Sequence, residues 1–173
     1  MNPDRQFVTF YVEDRLYGLD IRIAKEINPT VAITWVPRTP PYIKGLVNIR
    51  GQVVLVLDIA IIFGRGPQRI QEESQIVILK TGDELRAARQ VGIDVEDAPF
   101  GDKPIGLLVD RIGDVISVPD KQVEPPPQHL DEVSARYFSG VVKQGESLLV
   151  LLNAAEMLSQ ASASAKSTEE QGS

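Results

Sequence analysis

Short runs of β-branched and aromatic residues, each closed off by turn formers, set the rhythm of this chain. That pattern predicts an all-β barrel or sandwich, with helix in a minor part, rather than alternating βαβ units. Phe7-Val8-Thr9-Phe10-Tyr11-Val12 predicts a first strand, and Glu13-Asp14-Arg15 turns it into a second over 16–21, giving an opening hairpin. Ile23, Ala24 and Ile27 fit one short helical turn that Asn28-Pro29 ends, because a residue before proline is driven out of the αR region.

Residues 35–42, Trp-Val-Pro-Arg-Thr-Pro-Pro-Tyr, hold too much proline for a ladder strand and predict a stiff extended crossing. The stretch 45–57 reads as strand, tight turn, strand, with the turn at Arg50-Gly51, where glycine supplies positive φ. Asp58 then caps a short helix over 59–63. Strands follow over 75–80, 105–109 and 112–118, and Gly113 marks either a turn or a bulge. Pro125-Pro126-Pro127 stops any ladder, 131–137 predicts a short helix, and 138–142 with 148–152 form a last hairpin turning near Gln144-Gly145. Asn153 caps a closing helix through Leu158, and 159–173, without a large apolar residue, predicts a disordered tail.

An internal repeat underlies this order. Laying Gly45 on Gly140 aligns Leu46-Val47 with Val141-Val142, 53–57 with 148–152, and the cap Asp58 with Asn153, without a gap. The reading is two similar β-subdomains with a seam between them, and seams of this kind are where binding grooves form.

Composition narrows the chemistry. With 173 residues, 43% hydrophobic and 24% charged, the chain is long enough to bury a core of its own. Its net charge of −6 repels phosphate backbones and makes nucleic acid a poor partner. The absence of cysteine and the single histidine, His129, leave no thiolate zinc site, disulfide or iron–sulfur ligation, so neither metal nor cofactor is expected. No secretory signal opens the chain, and its longest apolar stretch, 53–63, is interrupted by Asp58 and falls well short of the roughly 20 residues a spanning helix needs. A cytoplasmic protein without membrane insertion is expected.

No side-chain constellation favours catalysis. His129 stands in a proline-rich loop without a Gly-x-Ser-x-Gly elbow, and no nucleotide-binding glycine motif is present. Asp58 and Asp110 each follow a buried-looking strand; converging in one pocket they would suit acid–base chemistry, yet strand-end aspartates more often cap helices and close turns. Arg65, Arg69, Arg86 and Arg89 are interleaved with acids and lack an aromatic platform for RNA. What remains is a surface: Ile43-Lys44-Gly45-Leu46-Val47-Asn48-Ile49-Arg50 combines apolar residues with a guanidinium able to fork onto a carboxylate, though Arg50 also reads as a plain turn residue.

Taken in order, several of these segments resemble the CheW family of chemotaxis coupling proteins. They are Phe7-Val8-Thr9-Phe10, Tyr17-Gly18-Leu19-Asp20-Ile21, Glu26-Ile27, the stretch from Val36 to Gly51 with its Gly-x-x-Asn-x-Arg-Gly ending, 54–58, Gly106-Leu107-Leu108-Val109-Asp110, Phe138-Ser139-Gly140-Val141 and Leu151-Leu152-Asn153. The resemblance covers 6–158 and implies two SH3-like five-stranded β-barrels acting as a non-catalytic adaptor. It implies as partners the regulatory domain of a CheA-type histidine kinase and the cytoplasmic tips of methyl-accepting chemoreceptors, at membrane-associated arrays. By the same resemblance Glu26, Ile27, Val36, Val47 and Arg50 match a partner-contact region, and Gly140 and Val141 match a second-barrel segment at the same groove. A relative that binds receptors without engaging the kinase would share the fold and differ at the second-barrel interface, and one serving a chemosensory pathway other than flagellar chemotaxis is the further alternative.

One departure stands out. Residues 80–104 replace what the family builds as a short hairpin, and the alternation of Val91, Ile93 and Val95 predicts either a protruding hairpin or a loose charged loop.

Overall fold

The computed structural model describes residues 4–30, 32–90, 103–126 and 136–158. Among these, ten strands form: β1 (Arg5–Val12), β2 (Arg15–Asp20), β3 (Ala24–Pro29), β4 (Ile43–Ile49), β5 (Gln52–Asp58), β6 (Gln75–Leu79), β7 (Ile105–Val109), β8 (Arg111–Val118), β9 (Phe138–Gln144) and β10 (Ser147–Leu152). Helices α1 (Ile59–Ile62) and α2 (Gly82–Gln90) follow β5 and β6, and residues 154–158 are helical after β10. One sheet takes the order β8-β1-β2-β10-β9 and the other β3-β6-β7-β5-β4. The chain therefore changes sheets after β2 and again after β7.

The repeat is real at the level of backbone bonds. Thr34 bridges Leu46 in one half and Glu124 bridges Val141 in the other, with paired N–H···O bonds of 2.8 and 2.9 Å in each. The Asp58 amide donates to the Tyr42 carbonyl and the Asn153 amide to the Tyr137 carbonyl, both at 2.7 Å. Even the bulges coincide: the register slips at Ile43/Gly45 and again at Phe138/Gly140. Each bridge draws the chain beyond one edge strand toward the other edge. The result is an SH3-like curl whose ladders stop short of a fully closed barrel.

The invariant spacing has a steric cause. A Cβ on Gly45 would lie 2.3 Å from the Thr34 carbonyl oxygen, and one on Gly140 would lie 2.8 Å from that of Glu124, so both bridges need a bare backbone. Gly45 also sits at φ +151°, which side chains rarely adopt. The β4–β5 turn places Arg50 (φ +53°) and Gly51 (φ +83°) in the left-handed region, the two-residue turn that matches strand twist. Gly113 proves to be a bulge: it lies where the β1–β8 register slips opposite Thr9.

Two expectations fail. Residues 23–27 do not make a helical turn, because Ala24 to Pro29 pair as an edge strand with β6, and the Lys80 amide donates to the Ile23 carbonyl at 2.9 Å. Edge position is what makes Pro29 tolerable there. The segment after Lys80 opens as the helix α2, not as a hairpin or loose loop. Thr81 and Glu84 form a reciprocal capping box: the Glu84 amide donates to Thr81 Oγ1 at 3.3 Å and the Thr81 amide to Glu84 Oε1 at 3.2 Å. Val91, Ile93 and Val95, residues 131–135 of the helix expected over 131–137, His129 and the tail 159–173 lie outside the described residues.

Three cores hold the sheets together. Val54, Val56, Ile76, Ile78 and Leu108 fill the inside of one curl, and Phe7, Val118, Val142, Leu149 and Leu151 fill the other. The largest core joins them, drawing Phe10, Val12, Tyr17 and Leu19 from one sheet and Leu57, Val77, Leu107 and Val109 from the other. Phe63, following α1, stacks on Tyr17 at 5.4 Å between ring centroids and meets Phe138 at a tilt at 5.5 Å, latching the halves. The interior of the seam, expected as an apolar groove, is thus filled by the chain's own side chains.

Candidate functional site

β3 and β4 are the two edges of one sheet, and the turn after β4 reaches back across the open side of the curl. There the Arg50 guanidinium donates to the Glu26 carboxylate, an ion pair in which Arg50 stays 74% exposed and Glu26 only 25%. Ile27, next in β3, is 40% exposed although it is cross-strand from the buried Val77. The Arg50 guanidinium thus stays largely open to solvent beside the β3 edge, and Ile27 follows Glu26 on that edge with its side chain alternating to the other face of the strand.

The other residues implied by resemblance fall elsewhere. Val36 is half-buried in the crossing that follows Thr34. Val47 lies inside the curl with Val54 and Val56, its side chain buried. Gly140 and Val141 are buried in the Glu124 bridge of the other sheet, the counterpart of Gly45 and Leu46. Their contribution is backbone geometry.

Helix α2 packs at the same end of the sheet. Lys25, preceding Glu26, donates to Glu84 with Nζ 3.2 Å from Oε1 and 3.1 Å from Oε2, and Leu85 is buried beneath the helix. Burial alone would raise the Glu84 carboxyl, but the Thr81 hydrogen bonds together with Lys25 outweigh it and hold it below the usual carboxylate range. The signal for this helix was present in the sequence as Thr81-Gly82-Asp83-Glu84, and the pairing with Lys25 was not.

The two aspartates have separate tasks. Asp58 is fully buried; it accepts from the amides of Ala60 (3.1 Å) and Ile61 (3.4 Å) and from both the backbone amide and side-chain Nε2 of Gln68 (2.8 Å each). Lys44 Nζ lies 3.9 Å away and donates to the Gln68 carbonyl at 2.7 Å. Asp110 instead accepts from the Glu13 amide at 2.7 Å, closing the β1–β2 turn against β7. They line different depressions, which removes the paired-carboxylate reading. Arg65 is paired with Glu13, and Arg86 with Asp83, as solvated ion pairs. Among the described residues no group of histidine, aspartate and glutamate has a metal-binding arrangement, and no helix is long and apolar enough to cross a membrane.

Comparison with known proteins accounts for this geometry. The profile of the CheW-like domain matches residues 6–162. The chain belongs to the CheW family. Chemotaxis protein CheW of Treponema pallidum is 32% identical over 154 residues, spanning 89% of this chain and 82% of that protein. Protein FrzA of Myxococcus xanthus is 26% identical over 158 residues, spanning 90% and 86%. Among solved structures, the scaffolding protein TtCheW from Thermoanaerobacter tengcongensis superposes with a TM-score of 0.70 at 26% identity, covering 91% of this chain and 89% of that one. The fold is the CheW scaffold, and CheW scaffolds in chemotaxis are not enzymes.

Proposed function

We propose that this chain couples chemoreceptor tips to a CheA-type histidine kinase by holding both at once, without covalent chemistry. The observation that carries this reading is the exposed Arg50 braced by Glu26 beside Ile27 on a family scaffold whose seam is already packed. A scaffold needs a rigid frame with charged and apolar groups presented at its edges, and here the ion pair keeps the β4–β5 turn in place while leaving donors free. Weak contacts at two faces then add through effective concentration, so that each partner held raises the occupancy of the other.

Glu26, Ile27, Val36 and Arg50 form the contact surface in this reading, and Val47, Gly140 and Val141 maintain it from beneath. Helix α2, tied to β3 through Lys25 and Glu84, stands beside that surface and selects among receptors or kinases. Binding of the isolated receptor tip and of the isolated kinase regulatory domain, each measured alone by calorimetry, tests the reading. Coupling requires both to bind; binding of the receptor alone would make the chain a receptor-binding relative, and binding of neither would refute the proposal.

A further inference from the structure

Between Phe63 and Ser74 the chain crosses from α1 to β6 without helix or strand, and over 66–73 every residue is exposed except Gln68, at 5%. Its apolar members, Pro67 and Ile70, are both exposed, so no hydrophobic burial holds the segment down. Among the described residues, the hydrogen bonds tying 66–73 to the sheets all run through Gln68. Its amide donates to Asp58 Oδ2 and its side-chain Nε2 to Asp58 Oδ1, at 2.8 Å each, and its carbonyl accepts from Lys44 Nζ at 2.7 Å. The two roots close locally: the Arg65 amide donates to the Ala60 carbonyl at 2.8 Å, and the Gln71 amide donates to Ser74 Oγ at 2.8 Å.

A loop held by one polar residue stands at the low end of a protein's local stability. The hold is also incomplete. Gln68 Oε1 is buried without a hydrogen-bond partner, so the closed form carries a desolvation cost that opening relieves. Asp58 loses less when Gln68 leaves, because the Ala60 and Ile61 amides still donate to it and Lys44 Nζ lies 3.9 Å away. Helix α1 therefore keeps its cap, and release of the loop is separable from unfolding of the sheets.

The segment is also a wall. Pro67 borders two depressions: Gln68, Arg69, Gln71 and Glu73 line one of about 480 Å³, and Ile70 lines the other, of about 370 Å³. We propose that 66–73 is a strap, latched by Gln68 on Asp58, that swings away as a unit while both sheets stay folded and so removes the wall between the two depressions. The shape of each depression then depends on the state of the latch, and anything seated in one biases the other through it. This holds whichever partners the chain couples.

Residue-resolved amide hydrogen exchange on the full chain, at rising urea below the unfolding transition, tests the proposal. The Gln68 and Gln71 amides are expected to share one protection factor, at least about a hundredfold below that of the slowest amides of β6 and β7, and to show no dependence on urea. In Gln68→Ala the Gln71 amide, whose own acceptor is Ser74, is expected to lose protection about tenfold. Gln68 protection equal to that of β6 and β7, with the same urea dependence, would overturn the proposal, since the strap would then open only with the whole chain. Gln71 protection unchanged by Gln68→Ala would overturn it as well, because the loop would have no common latch. The wild-type exchange decides the matter even where Gln68→Ala fails to fold.

Discussion

Glu26 and Arg50 stand on opposite edges of one five-stranded sheet and meet across its open side. This contact turns a curled ladder into a near-closed frame and leaves a guanidinium facing outward. Because Arg50 is largely exposed, the pair adds less than about 1 kcal/mol to stability, so substitutions here report on binding. Arg50→Glu should lower affinity for the kinase regulatory domain or receptor tip at least about tenfold while leaving the urea midpoint nearly unchanged. The exchange of both residues, Glu26→Arg with Arg50→Glu, should restore the ion pair but not the binding. Recovery of binding in the double variant would reduce Arg50 to a structural brace.

Gly45 and Gly140 should be unequal under substitution despite their matched positions. Gly45→Ala meets a carbonyl oxygen at 2.3 Å in a left-handed conformation, whereas Gly140→Ala meets one at 2.8 Å without that backbone penalty. Urea denaturation should show Gly45→Ala the more destabilising, by about 3 kcal/mol against about 1–2 kcal/mol. Equal losses would mean that neither the closer carbonyl nor φ at Gly45 adds to the cost.

Asp58 and Asp110 should separate in the same assay. Asp58→Ala strips partners from the Ala60, Ile61 and Gln68 amides and leaves Lys44 without its carboxylate, and should cost about 3 kcal/mol or more. Asp110→Asn removes one charge from an exposed turn contact and should stay within about 1 kcal/mol. A large loss at Asp110 would show that the turn contact matters more than its exposure implies.

The attachment of α2 should depend on pH. Glu84 titrates below its ordinary range in the folded chain, so its contribution is fully present above the unfolded carboxylate value of about 4.3 and is lost as pH falls through the lower folded value. Comparing urea stability with that of Glu84→Gln, which keeps the cap but not the Lys25 ion pair, should show a wild-type advantage near neutrality that vanishes in acid. A difference independent of pH would remove the ion pair as its source.

Much of the fold was legible because local signals and tertiary structure agree. The Arg50-Gly51 turn, the caps Asp58 and Asn153 and the matched hairpins around Gly45 and Gly140 all lie where spacing put them. Residues 24–29 were misread because Asn28-Pro29 carries a helix-stop signal, while β6, the partner that makes the segment a strand, lies some fifty residues on. The capping box at Thr81 was a local signal overshadowed by the alternation further along the insertion. Contacts set by topology were invisible: no spacing announces that Glu26 meets Arg50, that Lys25 meets Glu84, or that Phe63 enters an aromatic cluster with Tyr17 and Phe138. The same holds for the seam. Two similar subdomains foretell a junction, and only the packing of Phe10, Leu57, Leu107 and their neighbours decides that it is filled.

The central claim is that this chain joins two partners that do not hold each other in its absence. Co-sedimentation of a CheA-type kinase with membranes bearing its receptor, at rising concentrations of the chain, tests this directly. Kinase in the pellet should rise with added chain and fall again at excess, when separate copies occupy each partner. Kinase recovered equally with and without the chain would contradict the account.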